Sequence, residues 1–186
     1  MRLLATASQT VGPYLHLGLT WNTTECIASS AIAGEHVTVQ GRIVDGTGEP
    51  VVDALLEVWQ ANSFGKYAHP EDVQDMPLEP GFKGFGRIPT NDQGEFRFTT
   101  IKPGAVPGRD GIQAPHLLIS IFMRGLLKRL VTRMYFPDDD RNGRDEVLES
   151  IPNDRRTTII AKKLSNRELL WNVVLQGDSE TVFFDC

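Results

Sequence analysis

Four histidines, at positions 16, 36, 69 and 116, are the side chains here best suited to bind a metal or move a proton near neutral pH. No two lie close in sequence, and neither an H-x-H pair nor H-E-x-x-H occurs. His36 opens an alternating segment and reads as a surface or satisfied histidine. His69 sits in an irregular stretch beside Tyr67 and reads as solvated. His116 follows Ala114-Pro115 and opens the most apolar stretch, where a satisfied core histidine is the plainer reading and a ligand the sharper one. No G-x-G-x-x-G, Walker loop, G-x-S-x-G or paired C-x-x-C is present. Arg133 lies inside Leu-Val-Thr-Arg-Met-Tyr-Phe, flanked by apolar residues. It is either on a solvent face or a cation held at a pocket for an anionic ligand. Trp59 and Gln60 read as a core aromatic and a polar partner at a strand end. Ser8 to Tyr14 (SQTVGPY) is either a lead-in loop or backbone that Gly12 lets approach a ligand.

The elements that must position these groups read as strands. His36 to Asp45 alternates, with Val37, Val39 and Ile43 on one face, before the turn Gly46-Thr47-Gly48-Glu49-Pro50. Ala54 to Ala61 alternates again, with Leu55, Glu57 and Trp59 opposite Leu56 and Val58. Phe96 and Phe98 share a face after the turn Asn91-Asp92-Gln93-Gly94. Residues 116–123 are apolar on both faces, as suits a strand between two layers. Leu130 to Phe136, Trp171 to Leu175 and Thr181 to Phe184 are further candidates. Helical periodicity is weak, with a short turn expected around Asn153 to Thr158 or within 66–82. Many short strands separated by Gly/Pro turns predict an all-β fold, an antiparallel β-sandwich with long connecting loops. The weakly periodic stretch 62–88 is long enough to be a functional loop.

Composition narrows the class. At 186 residues with no repeat or linker, one domain spanning 1–186 is expected. A net charge of −5 argues against a nucleic-acid binder. The longest nearly apolar run, 117–123, falls far short of the roughly 20 residues needed to cross a bilayer. Residues 1–7 hold too short an apolar stretch for a secretory signal. Cys26 and Cys186 are too few for a disulfide framework and read as free thiols, which makes the cytoplasm the expected location.

An ordered set of motifs then becomes specific. It comprises SQTVGPY at 8–14, GRIVDG at 41–46, LEVWQA at 56–61, GKY at 65–67 and FGR at 85–87. It continues with IKPG at 101–104, APH at 114–116, QG at 176–177 and TVFFD at 181–185. Over nearly the whole chain this set resembles the intradiol ring-cleavage dioxygenases. The resemblance implies a β-sandwich that inserts both atoms of O2 between the hydroxyl-bearing carbons of a catechol. Its metal is Fe(III), held by two tyrosinates and two histidines. Hard phenolate donors suit ferric iron.

By the same resemblance, this chain departs from the catalytic pattern. The four ligand slots hold Gln74, Val106, His116 and Leu118. One histidine cannot hold ferric iron, so no metal and no catalytic residue is expected here. That departure is the mark of a non-catalytic alpha chain in hetero-oligomeric members of the family. A homologous beta chain then holds the Fe(III), and residues 1–35 form an arm that packs on it. Protocatechuate and O2 are the implied substrates, and 3-carboxy-cis,cis-muconate the product, in aromatic catabolism through the beta-ketoadipate pathway. Thr10, Gly12, Pro13 and Tyr14 are expected to wall the substrate pocket, and Arg133 to offer its positive charge. The competing reading is a stand-alone β-sandwich binding or interaction module with no enzymatic role.

Overall fold

Alternation of apolar residues at a period of two writes most of the architecture. The computed structural model describes residues 4–185, without the side chains of His16 and Thr20; Cys186 lies outside the described residues. A short helix α1 (Pro13–Leu19) precedes the strands β1 (His36–Val44), β2 (Leu55–Trp59), β3 (Phe85–Pro89) and β4 (Glu95–Ile101). Two-residue strands β5 (Val106–Pro107) and β6 (Ile112–Gln113) then pair with each other ahead of β7 (His116–Phe122) and β8 (Leu130–Tyr135). Helices α2 (Glu146–Glu149) and α3 (Asn153–Arg156) lead to β9 (Lys162–Ser165), β10 (Glu168–Leu170) and β11 (Val173–Val174). The turn expected near Asn153 is α3, whereas no helix forms within 66–82.

One sheet is antiparallel in the order β3-β2-β7-β8, and the second is built around β1. β4 pairs with β1 antiparallel from His36↔Ile101 to Arg42↔Glu95. Along its other edge β1 pairs in parallel with β10 at Thr38–Gln40 and with β11 at Ile43–Val44. β9 completes this sheet against β10. Val37, Val39, Ile43, Phe96, Phe98 and Trp171 from this sheet meet Leu56, Val58, Ile88, Leu117, Ile119, Ile121 and Met134 from the other in one continuous core. Two sheets sharing one apolar layer make a β-sandwich, as the alternating pattern requires. Each large side chain sealed there contributes roughly 1.5–3 kcal/mol.

Three positions differ from the sequence expectation for a shared reason. Only Leu117, Ile119 and Ile121 of β7 face the core, while Leu118 and Phe122 are half-buried on the outer face. Trp59 belongs to that outer face as well and is not a core aromatic. All three lie on the face turned away from the other sheet, where Tyr67 and His69 of the loop after β2 pack on Trp59. Gln60 meets expectation: fully buried at the end of β2, its amide donates to the carbonyls of Ala61 and Ile101, both at 3.0 Å.

Candidate functional site

Register on the outer face of the antiparallel sheet sets up the first candidate region. Phe85, Trp59, Leu118 and Arg133 lie in one row across β3, β2, β7 and β8. His116 and Tyr135 form the adjoining pair. The loop after β2 folds back over this row. Gly65 has a φ of +85°, and a Cβ there would sit 2.1 Å from the Ala105 carbonyl oxygen. A Cβ on Gly104 would likewise sit 2.5 Å from the Gly65 nitrogen. Only glycine permits that approach, so the G-K-Y and K-P-G motifs abut, and Tyr67 and Gln74 come to line one cleft with Pro107.

Polar groups then pin the loop to itself. Asn62 Oδ1 accepts from the N–H groups of Phe64 and Lys66 at 3.0 and 2.9 Å. Lys66 Nζ donates to the carbonyls of Asp72 and Gln74. Asp72 accepts from the Tyr67 and Gln74 backbone N–H groups, which hold its carboxyl below the ordinary range against the opposing cost of burial. Tyr67 stacks on Trp59 with ring centroids 5.9 Å apart, and His69 meets Trp59 edge-on. A cleft of about 560 Å³ results, lined by Trp59, Tyr67, His69, Val73, Gln74 and Pro107 among others.

The four ligand slots can be tested against iron on their own chemistry. Gln74 spends its amide nitrogen on the Gly65 carbonyl and Asp72 Oδ2, at 3.0 and 3.1 Å. Val106 is buried and Leu118 half-buried, and neither carries a donor atom. His116 is 5 % exposed, with Nδ1 2.8 Å from the Ala114 carbonyl, so the Nδ1 proton is the one shared there. Burial, reinforced by the nearby Arg133 charge, pushes the His116 pKa down to about 4. The tyrosines at hand are committed as well. Tyr135 Oη donates to Asp145 and accepts from Arg133. Burial raises the pKa of both Tyr135 and Tyr67, which keeps them neutral phenols. This donor set does not fit ferric iron. Among the described residues no group of three or more His, Cys, Asp or Glu side chains converges.

Arg133 is half-buried, donating to Gln113 Oε1 at 3.0 Å and Tyr135 Oη at 3.2 Å. It therefore belongs to a network with Asp145, whose carboxylate caps α2 through Val147 and Leu148 and accepts from the Ala114 N–H.

The N-terminal motif lies elsewhere. Thr10 Oγ1 accepts from the Gly125 N–H at 2.7 Å, just past the end of β7. Gly12 and Pro13 border a cavity of about 190 Å³ together with Val11, Leu15, Asp53 and Arg124. Tyr14 stands exposed on α1. Arg133 is opposite Leu118, and the strand from Leu118 to Phe122 alone spans roughly 13 Å at about 3.3 Å per residue. Within this chain, the structure brings Thr10, Gly12 and Pro13 together with Arg124 and keeps them apart from Arg133. Sequence reasoning passed over Arg124 because its partner Asp53 lies 71 residues away. The available signal was an Arg-Gly pair closing the most apolar strand.

His36 and His69 match their bland readings: His36 Nε2 is 2.8 Å from the Ile32 carbonyl, and His69 is exposed. Cys26 is free and exposed. No helix among the described residues is long and apolar enough to cross a membrane.

Comparison with known proteins places this geometry in context. The family model Dioxygenase_C, described as "Dioxygenase", matches residues 12–177. The chain is 40% identical over 200 residues to the protocatechuate 3,4-dioxygenase alpha chain of Pseudomonas putida, covering 97% of this chain and 96% of that one. It is 42% identical over 132 residues to the protocatechuate 3,4-dioxygenase beta chain of Burkholderia cepacia, covering 69% of this chain and 56% of that one. The crystal structure of 3-chlorocatechol 1,2-dioxygenase from Rhodococcus opacus superposes with a TM-score of 0.63 at 20% identity, covering 94% of this chain and 69% of that one, a likeness of fold. A sandwich of this topology, a family match over most of the length and a full-length relative at this identity converge on one conclusion: the chain belongs to the intradiol ring-cleavage dioxygenase family.

Proposed function

We propose that this chain is the non-catalytic alpha subunit of a hetero-oligomeric, cytoplasmic intradiol dioxygenase that cleaves protocatechuate with O2 to 3-carboxy-cis,cis-muconate. A homologous beta chain holds the Fe(III). The carrying observation is the donor set: Gln74, Val106, a buried neutral His116 and Leu118 stand where the family's catalytic pattern has iron ligands. Its similarity to alpha chains over nearly its full length supports the same reading.

This chain contributes a surface to the shared site. Thr10, Gly12, Pro13 and Tyr14 wall the pocket from the alpha side, and the cation that borders them is Arg124. Arg124 captures the substrate carboxylate, while Arg133 steadies the outer face of its own sheet. Of the expected N-terminal arm, the stretch up to Trp21 packs on the beta chain, whereas Ile27, Ala28 and Ile32 are buried in this chain's own core. Tyr14, Leu17 and Trp21 suit that role, being exposed at spacings of three and four residues around α1 and the turn after it.

Mixing purified alpha and beta chains tests the assembly. The two are expected to co-elute from a sizing column and cleave protocatechuate, and Trp21→Glu in this chain is expected to weaken co-elution at least tenfold. Full activity of the beta chain with no alpha chain bound would overturn the reading.

A further inference from the structure

Arg124 makes one salt bridge, from its Nε to Asp53 Oδ2. Among the described residues its two terminal nitrogens make no hydrogen bond, and the side chain stays 60% exposed. Asp53 is the less exposed partner, at 20%, and sits in the turn just before β2. Its carboxylate has no other hydrogen bond among the described residues. A guanidinium fixed at Nε keeps its Nη edge free, and that edge is the fork that meets a carboxylate through two parallel hydrogen bonds. The same corner is closed by the Thr10–Gly125 hydrogen bond, which ties the backbone leading to Gly12 and Pro13 to the residue after Arg124. Gly12 has open space where a Cβ would point.

We propose that Asp53 is a positioning residue for substrate recognition: it anchors Arg124 through Nε so that the free guanidinium edge faces the Gly12–Pro13 cavity and selects aromatic substrates bearing a carboxylate. The inference rests on the pocket reading of Arg124 given above. Asp53 acts in two opposed ways. Its charge reduces the pull of Arg124 on an anion, while its hydrogen bond removes the rotamer freedom that a long exposed side chain would lose on binding. The second effect must outweigh the first, which is what the Asp53 variants decide.

The test uses the assembled alpha–beta complex and a ligand that lacks one of the two adjacent hydroxyls. The dissociation constant of 4-hydroxybenzoate is measured by calorimetry and compared with that of phenol, its uncharged counterpart. Arg124→Ala is expected to weaken 4-hydroxybenzoate binding about tenfold and phenol little, in line with a charge-assisted hydrogen bond. Asp53→Ala is expected to weaken 4-hydroxybenzoate about three- to fivefold, the scale of an exposed ion pair, and Asp53→Glu to recover part of that loss. In the Arg124→Ala background, Asp53→Ala is expected to add nothing. A silent Arg124→Ala overturns the pocket reading and this inference together. An Arg124→Ala effect with Asp53→Ala unchanged, tighter, or equally damaging to phenol overturns this inference alone.

Discussion

His116 is the residue whose titration should stand out in the chain's acid response. Folding buries the imidazole and lowers its pKa from an ordinary 6.5 to about 4. The unfolded chain therefore binds a proton more readily between those values. The stability that the neutral imidazole contributes is essentially complete above about pH 6.5 and is lost as pH falls toward 4, by about 2–3 kcal/mol. Acidic groups held low by hydrogen bonds, such as Asp72 and Glu146, add their losses at lower pH. His116→Gln keeps a donor for the Ala114 carbonyl without the titration. Urea midpoints measured at pH 7.5 and 5 should converge in this variant and stay apart in the native chain. Equal pH dependence in both would contradict the buried neutral state. His116 also marks what was legible at this scale. A histidine opening the most apolar stretch pointed to a satisfied core group, and its bond to Ala114 is local in sequence. The Asp53–Arg124 pair was not legible, because tertiary folding alone brings those residues together.

The elements were legible wherever side chains alternate, as in β1, β2 and β4. Alternation reports which face is buried and says nothing about strand direction. The parallel pairing of β1 with β10 and β11 was accordingly invisible in the sequence. Gly41 is the hinge of that edge. The Trp171 N–H donates to the Gln40 carbonyl at 2.9 Å, and a Cβ on Gly41 would lie 1.8 Å from the Trp171 carbonyl oxygen and 2.8 Å from the Phe96 ring. Neither neighbour can retreat, since one is backbone and the other is core. Gly41→Ala should therefore cost at least about 3 kcal/mol, visible as a fall in the thermal midpoint or loss of folded protein. A loss below about 1 kcal/mol would show that the sheet edge yields easily. The loop of 62–74 was legible only as long and irregular. Its shape comes from the Gly65–Gly104 approach and from Asn62, Lys66 and Asp72, whose hydrogen bonds leave no periodic trace.

For the molecule as a whole, the motifs carried family membership further than any generic chemical pattern did. They also carry the departure on which the proposed role rests, since Gln74, Val106 and Leu118 stand in the slots that the resemblance assigns to ligands. The structure adds the reason that the neighbouring Tyr67, Tyr135 and His116 do not substitute for them. Tyr67 and Tyr135 are held as neutral phenols, and His116 is turned toward a backbone carbonyl. The chain thus keeps the family's sandwich and gathers Thr10, Gly12, Pro13 and Arg124 at one corner, where the proposed site would be completed by another subunit. The most direct measurement is the iron content and visible absorption of this chain purified alone, beside the co-purified alpha–beta complex. The expected result is a colourless, iron-free chain and a complex with about one iron per alpha–beta pair and the visible band of iron–tyrosinate. Stoichiometric iron with the same band in the isolated chain would contradict the assignment of the ligands to the partner.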